Sequence, residues 1–253
     1  GLEAKNPAIV FDDANVDKAV KECVNGALSY NGQRCTALKL IFVHKSVSEE
    51  FRVKFTKAVD ALALDHPATD STLTPLPERN KVEQMEAYVN DAVAKGASVI
   101  NQNAGRVSDT AFFPAVLYPV TNKMAIFHEE QFGPVVPIVE YEDLEEVMSS
   151  IAASDCGQQC SLFSDNELTI AYAVDNMVNQ VCRVNINASC QRGPDYLPFT
   201  GRKDSAVATL SVHDALRSFS IRTLVATGID QKELVGSVIS GGQSTWMTTD
   251  YLL

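Results

Sequence analysis

Apolar positions along this chain recur with two alternating periods. Val16, Val20, Cys23, Val24 and Ala27 lie three and four residues apart, one face of a helix that Asn15 caps and Asn31-Gly32 ends. Leu38 to Val43 is an apolar run of strand length. Ser46 and Glu49 form a capping-box pattern before Phe51, Phe55, Ala58, Val59 and Leu62 at helical spacing. Val82, Met85, Val89 and Ala92 mark a further helix, closed by Lys95-Gly96. Ser98-Val99-Ile100 predicts a buried strand, and Ala115 to Leu117 and Val135 to Val139 predict two more. A helix over Asp143 to Ala153, a strand over Ser161 to Phe163, a helix capped by Asn166 and a strand over Arg183 to Asn187 continue the series. This alternation predicts an α/β fold with a mainly parallel sheet flanked by helices. Beyond Gly201 the pattern weakens: a helical stretch spans Val207 to Leu216, Phe219 to Thr227 alternates like an edge strand, and residues 228–253 are rich in Gly, Ser and Thr. Three segments are expected: a domain over 1–205, a helix and edge strand over 206–227, and a tail over 228–253.

Composition narrows the class. A formal net charge of −11 argues against nucleic acid and anionic membranes as partners, both of which call for a basic patch. No apolar run reaches the roughly 18 residues of a membrane-spanning helix. No signal peptide is seen at the start, and six irregularly spaced cysteines do not form a secreted disulfide pattern, so a reducing cytoplasmic setting is expected. The chain lacks an initial Met, which suggests a piece of something longer. His44, His66, His128 and His213 are scattered without ligand spacing, so no metal site is expected, and Cys156 and Cys160 read as small core residues.

The chemistry centres on Asn31-Gly32-Gln33-Arg34-Cys35-Thr36. A cysteine on a loop behind a helix end has backbone N–H donors near it, and Arg34 favours its thiolate, the nucleophilic form. Taken alone, the same cysteine also fits a small buried apolar residue.

Four ordered motifs resemble the aldehyde dehydrogenase superfamily: N-G-Q-R-C-T-A around Cys35, E-E-Q-F-G-P-V from Glu129 to Val135, Lys5-Asn6-Pro7-Ala8-Ile9-Val10, and Gln191-Arg192-Gly193-Pro194-Asp195 with Pro198-Phe199. The last is similar to the NADP-dependent, non-phosphorylating glyceraldehyde-3-phosphate dehydrogenase branch, and the resemblance covers residues 1–227. It implies that Cys35 attacks an aldehyde carbon, that N–H donors hold the oxyanion, that hydride passes to NADP or NAD, and that water cleaves the resulting thioester. It further implies that Glu130 binds the nicotinamide ribose, that Phe132 packs beside the nicotinamide, and that Arg34 and Arg192 grip a substrate phosphate. Phe219 to Thr227 resembles a subunit-joining strand, which implies a homo-oligomer.

The chain also departs from the family pattern. The base glutamate belongs four residues before Lys5, where Gly1 stands, while Glu3 sits two residues before it. Either Glu3 serves as the base or the base is missing; G-L-E-A-K-N-P, with Gly201-Arg202-Lys203-Asp204-Ser205, resembles a subgroup with this form. The family's first half, which carries most of the cofactor-binding sheet, has no counterpart here, and no G-x-G-x-x-G is present. The expected function is therefore the catalytic half of an aldehyde dehydrogenase for a phosphorylated aldehyde, inactive in oxidation by itself. Alternatives are a catalytically silent domain of the same fold and a thiol esterase.

Overall fold

In the computed structural model, residues 2–244 are described, save 70, 106, 210, 222 and 243. Two compact units emerge, Gly1–Ala215 and Leu216–Leu253. The first is built on seven strands: β1 (Asn6–Val10), β2 (Leu38–His44), β3 (Ser98–Val99), β4 (Ala115–Tyr118), β5 (Val135–Tyr141), β6 (Gln159–Phe163) and β7 (Arg183–Ile186). Their order across the sheet is β7-β6-β1-β2-β5-β4-β3. Every pairing is parallel except the one between β3 and β4.

Two helical layers cover this sheet. Helices α1 (Val16–Leu28) and α2 (Lys45–Asp60) pack Ala19, Cys23, Phe51, Phe55 and Val59 onto one face, against Ala8, Val10, Ile41, Val43 and Ile138. The opposite face, with Ile9, Leu40, Phe42 and Leu117, is covered by α3 (Arg79–Ala94), the short α4 (Ala125–His128), α5 (Leu144–Ala153) and α6 (Glu167–Met177). Alternate residues of each central strand thus enter opposite cores, so β1 and β2 read as continuous apolar runs rather than as one-sided alternation.

Several helix starts follow the sequence pattern. The Asn15 side chain accepts from the Lys18 N–H, Asp143 from that of Glu145, and Asn166 from those of Leu168 and Thr169. The Ser46–Glu49 capping box does not form: α2 begins at Lys45, and the His44 ring accepts from the Ser46 N–H instead. Ser98–Val99 is an exposed edge strand rather than a buried one, because only β4 pairs with it. The central strand β1 was not anticipated.

The last stretch differs most. Helix α7 spans Val212–Ser218, later than the helix expected from Val207. The strand expected over Phe219–Thr227 is not formed: its described residues take no regular structure and stay exposed, with Phe219 93% and Ile221 100% accessible. A strand needs a neighbouring row of backbone partners, and among the described residues no strand pairing includes this segment. The tail, whose structure the sequence left open, holds a helix, α8 (Lys232–Ser240). Gly1 and Trp246 lie outside the described residues.

Candidate active site

Because β1, β2 and β5 are parallel neighbours, their N-terminal ends lie side by side. Lys5 precedes β1, Cys35 precedes β2 and Glu130 precedes β5, so the topology carries all three to one edge.

The Cys35 loop is bent by three successive residues with left-handed backbones, Tyr30 (φ 54), Asn31 (φ 58) and Gly32 (φ 69). Asn tolerates this region through its short polar side chain. Buried Asn31 uses that side chain fully, accepting from the Thr74 N–H at 3.0 Å and donating to the Thr74 hydroxyl at 3.1 Å. Gly32 is required twice over, since a Cβ there would lie 2.8 Å from both the Ala27 and Gly133 carbonyl oxygens. A Cβ on Gly133 would instead run into the Met85 side chain. The loop is then pinned by Asn6, whose carboxamide donates to the Cys35 carbonyl at 2.7 Å and to that of Ala37 at 3.0 Å, while its oxygen accepts from the Gln159 N–H. Among the described residues no group accepts from the Cys35 N–H.

Cys35 is half-buried. The other cysteines are held as neutral thiols by burial: Cys190 is pushed up to about 12, Cys23 and Cys160 rise well above the usual thiol range, and Cys156 and Cys182 rise as well.

Behind the loop lies a polar cluster. Lys5 is buried and its ammonium donates to the carbonyls of Ile126 (2.5 Å) and Glu129 (2.7 Å) and to the Gln131 side-chain oxygen (2.6 Å). Burial, and then the charge of Lys39, lower its pKa well below the ordinary lysine value. The Gln131 amide donates to the Lys39 and Val135 carbonyls at 2.7 and 3.0 Å. Lys39 ion-pairs with Glu130 at 3.4 Å. Desolvation raises the Glu130 pKa against the opposing pull of Lys39 and of the Ala4 N–H. Its Oε1 is buried and faces the Lys39 ammonium, near the Phe132 ring, which is 37% exposed. A carboxylate near a partly exposed aromatic face fits a ribose hydroxyl and a flat ring.

The sites expected for phosphate are placed differently. The Arg34 Nε is buried without a hydrogen-bond partner, and its guanidinium lies 5.6 Å from the Tyr30 ring centre. Arg192 pairs with Asp195 at 3.5 Å and lies 4.5 Å over Phe199. The two segments are linked through Gln159, whose side-chain amide donates to the Gln191 carbonyl at 3.0 Å and whose N–H reaches Asn6, the residue that holds the Cys35 carbonyl. The backbone around Arg192 is staked by Arg183, which donates to the carbonyls of Gln191 and Gly193 at 3.1 and 2.8 Å.

Glu3 goes elsewhere. It is exposed and lines a cavity of about 450 Å³ with Glu129, His128 and Cys156, a space that Cys35, Arg34 and Arg192 do not border. The size of this cavity does not make it the better thiol site, because burial and then the charges of Glu130 and Glu3 disfavour the Cys156 thiolate. Among the described residues no group of three or more His, Cys, Asp or Glu side chains is arranged to hold a metal, and no helix is long and apolar enough to cross a membrane. Lys5, Asn6 and Gln131 lay inside motifs read from the sequence but were given no role there, and Lys39 lay in none. The signal for Lys39 was present, as a lysine inside the apolar run Leu38–Val43.

A parallel sheet covered on both faces, with a cysteine on a left-handed loop at one strand edge, defines a cysteine-bearing α/β domain. The chain belongs to the aldehyde dehydrogenase family, whose model matches residues 1–225. It is similar to the NADP-dependent glyceraldehyde-3-phosphate dehydrogenase of Pisum sativum, 32% identical over 225 residues, covering 88% of this chain and 45% of that protein. A sulfoacetaldehyde dehydrogenase of Neptuniibacter caesariensis is 31% identical over 227 residues, covering 88% and 49%. Among solved structures, an NADP complex of the glyceraldehyde-3-phosphate dehydrogenase of Bacillus halodurans superposes with a TM-score of 0.81 at 34% identity, covering 85% of this chain and 44% of that one. The chain spans about half the length of the curated relatives it matches.

Proposed function

We propose that this chain is the catalytic half of an NADP-dependent aldehyde dehydrogenase acting on a phosphorylated aldehyde. The observation that carries the reading is the convergence of Cys35 and the Glu130–Phe132 segment at one strand edge, joined through Lys39. Likeness to glyceraldehyde-3-phosphate dehydrogenases along most of the chain supports the substrate class and NADP over NAD.

Cys35 attacks the aldehyde carbon, and its N–H is one donor to the oxyanion that forms. Glu130 would accept from the ribose hydroxyls, and Phe132 would offer a flat wall to the nicotinamide. When bound, the nicotinamide supplies the hydride acceptor. The thioester on Cys35 is then hydrolysed, with Glu3 as the candidate base, although Glu3 lines the cavity beside Cys156, which Cys35 does not border. Arg34 and Arg192 bind the substrate phosphate, for which a planar guanidinium fork is suited. Most of the cofactor is gripped by residues outside this chain. Cytoplasmic location and assembly into an oligomer through the 219–227 segment belong to the same reading.

The test is NADPH formation at 340 nm from glyceraldehyde 3-phosphate and NADP, by the whole enzyme containing this chain and by the chain alone. Turnover by the whole enzyme, lost in Cys35→Ser and absent from the chain alone, is expected. Turnover that survives Cys35→Ser overturns the reading.

A further inference from the structure

Lys39 occupies an unusual place in the sheet. Along the β1–β2 pairing Asn6 lies opposite Leu38 but Pro7 lies opposite Leu40, so Lys39 is an extra residue in β2 with no partner in β1. A bulge of this kind re-aims a side chain out of the alternation of its strand. Leu38 and Ile41 accordingly enter one core while Leu40 and Phe42 enter the other. Lys39 joins neither and runs to the polar edge of the sheet.

Its side chain is only 1% exposed, and a lysine is almost never so buried unless paired. The ammonium has three protons and no acceptor capacity. Three acceptors lie around it: the Gln131 carbonyl at 3.0 Å, the Gly32 carbonyl at 3.4 Å and Glu130 Oε1 at 3.4 Å. It also lies 4.7 Å from the centre of the Phe132 ring, within the range of a cation–π contact. One nitrogen thus touches the loop that carries Cys35 and three consecutive residues of the segment that carries Glu130. No other described side chain makes this link: Lys5 reaches Glu129 and Gln131 but no atom of residues 32–35.

We propose that Lys39 is a positioning residue, whose ammonium fastens the Cys35 loop to the Glu130–Phe132 segment and is the cation these two arms share. This rests on the reading of Cys35 as nucleophile and of Glu130–Phe132 as the nicotinamide-facing arm. Burial, the largest influence, lowers the Lys39 pKa; the charge of Glu130 and its hydrogen bond oppose this, as does Cys35, whereas Arg34 and Lys5 act with burial. A methionine at 39 fills the same channel but leaves the Gly32 and Gln131 carbonyls without a donor and Glu130 without a counter-ion.

The test is the rate of iodoacetamide alkylation at Cys35 across pH 5.5 to 9.5, mapped by peptide mass spectrometry on the 253-residue chain, with Cys156 in the same digest as a control for folding. Lys39→Met is expected to slow Cys35 at pH 7 by about tenfold, because the loop that carries it loses its tie to the Glu130 segment, while Cys156 stays within about twofold. Lys39→Arg, which keeps the charge, is expected to recover part of the loss. Fast Cys35 labelling in wild type that is unchanged in Lys39→Met overturns the role of Lys39 alone. Wild-type Cys35 labelling no faster than Cys156 overturns the nucleophile reading, and this proposal with it. If Lys39→Met does not fold, the ε-methylene protons of Lys39 decide the matter by NMR: an upfield shift that Phe132→Leu abolishes upholds the link, and a shift indifferent to Phe132→Leu overturns it.

Discussion

The Asn6 carboxamide donates to the Cys35 carbonyl oxygen at 2.7 Å, so the first residue of a central strand sets the backbone of the loop that carries the thiol. Asn6 is 1% exposed and spends both side-chain polar atoms, on residues 35, 37 and 159. Asn6→Ala removes three hydrogen bonds and strands two carbonyls. It is expected to cost about 2–3 kcal/mol of stability, read as a lower urea midpoint. An unchanged midpoint means that water takes over these partners at no cost.

Gly32→Ala faces both a left-handed φ of 69° and two carbonyl oxygens 2.8 Å from the new carbon. The backbone conformation alone costs roughly 1–2 kcal/mol, and the close contacts add to it. Thermal unfolding is expected at a clearly lower temperature than for Gly96→Ala, whose φ is 104° but whose added carbon meets nothing within 4 Å. Equal losses at the two positions refute the part assigned to the carbonyls.

Glu130 sets a pH dependence with a definite sign. Burial holds its folded-state pKa above the ordinary value of 4.5, so the folded form binds more protons than the unfolded one as pH rises past 4.5. Its contribution to stability is full below that value and is lost as pH climbs through the folded pKa. Urea midpoints of wild type and Glu130→Gln, compared at pH 4 and pH 7, are expected to show wild type losing ground to the variant between the two. A difference that grows in favour of wild type shows that the Lys39 ion pair outweighs desolvation.

Phe51 and Phe55 stack with ring centres 5.4 Å apart, both fully buried under the sheet. Phe51→Ala is expected to cost about 3–5 kcal/mol, measured by urea unfolding. A loss below about 1 kcal/mol means that α2 collapses into the space left behind.

How far the sequence could be read depended on what each segment's pattern records. Helices α1, α3, α5 and α6 were legible as helices, with Asn15 and Asn166 capping where expected, while Asp143, expected as the first residue of α5, is its cap. Strand β1 was hidden by Pro7 and by its shortness, although it lies between β2 and β6. The Ser46–Glu49 box misled because His44, one residue before α2, took the cap. Helix α8 was masked by Gly236 and its serines. At the site, Cys35 and Glu130 stood out, whereas the parts played by Asn6, Lys39 and Gln131 rest largely on bonds to distant residues, such as Asn6 to Gln159 and Lys39 to Gln131, which no local pattern encodes.

The two glycines where the Cys35 loop meets the Glu130 segment differ in how freely they can mutate. Gly32 abuts backbone oxygens that no exchange of side chains can remove, so a harmful change there has no nearby suppressor. At Gly133 the atoms nearest an added Cβ all belong to Met85, a pliable side chain on α3. Gly133→Ala, damaging alone, becomes tolerable once Met85 has shrunk, and lineages of this domain can cross that position in one order of steps but not in the other.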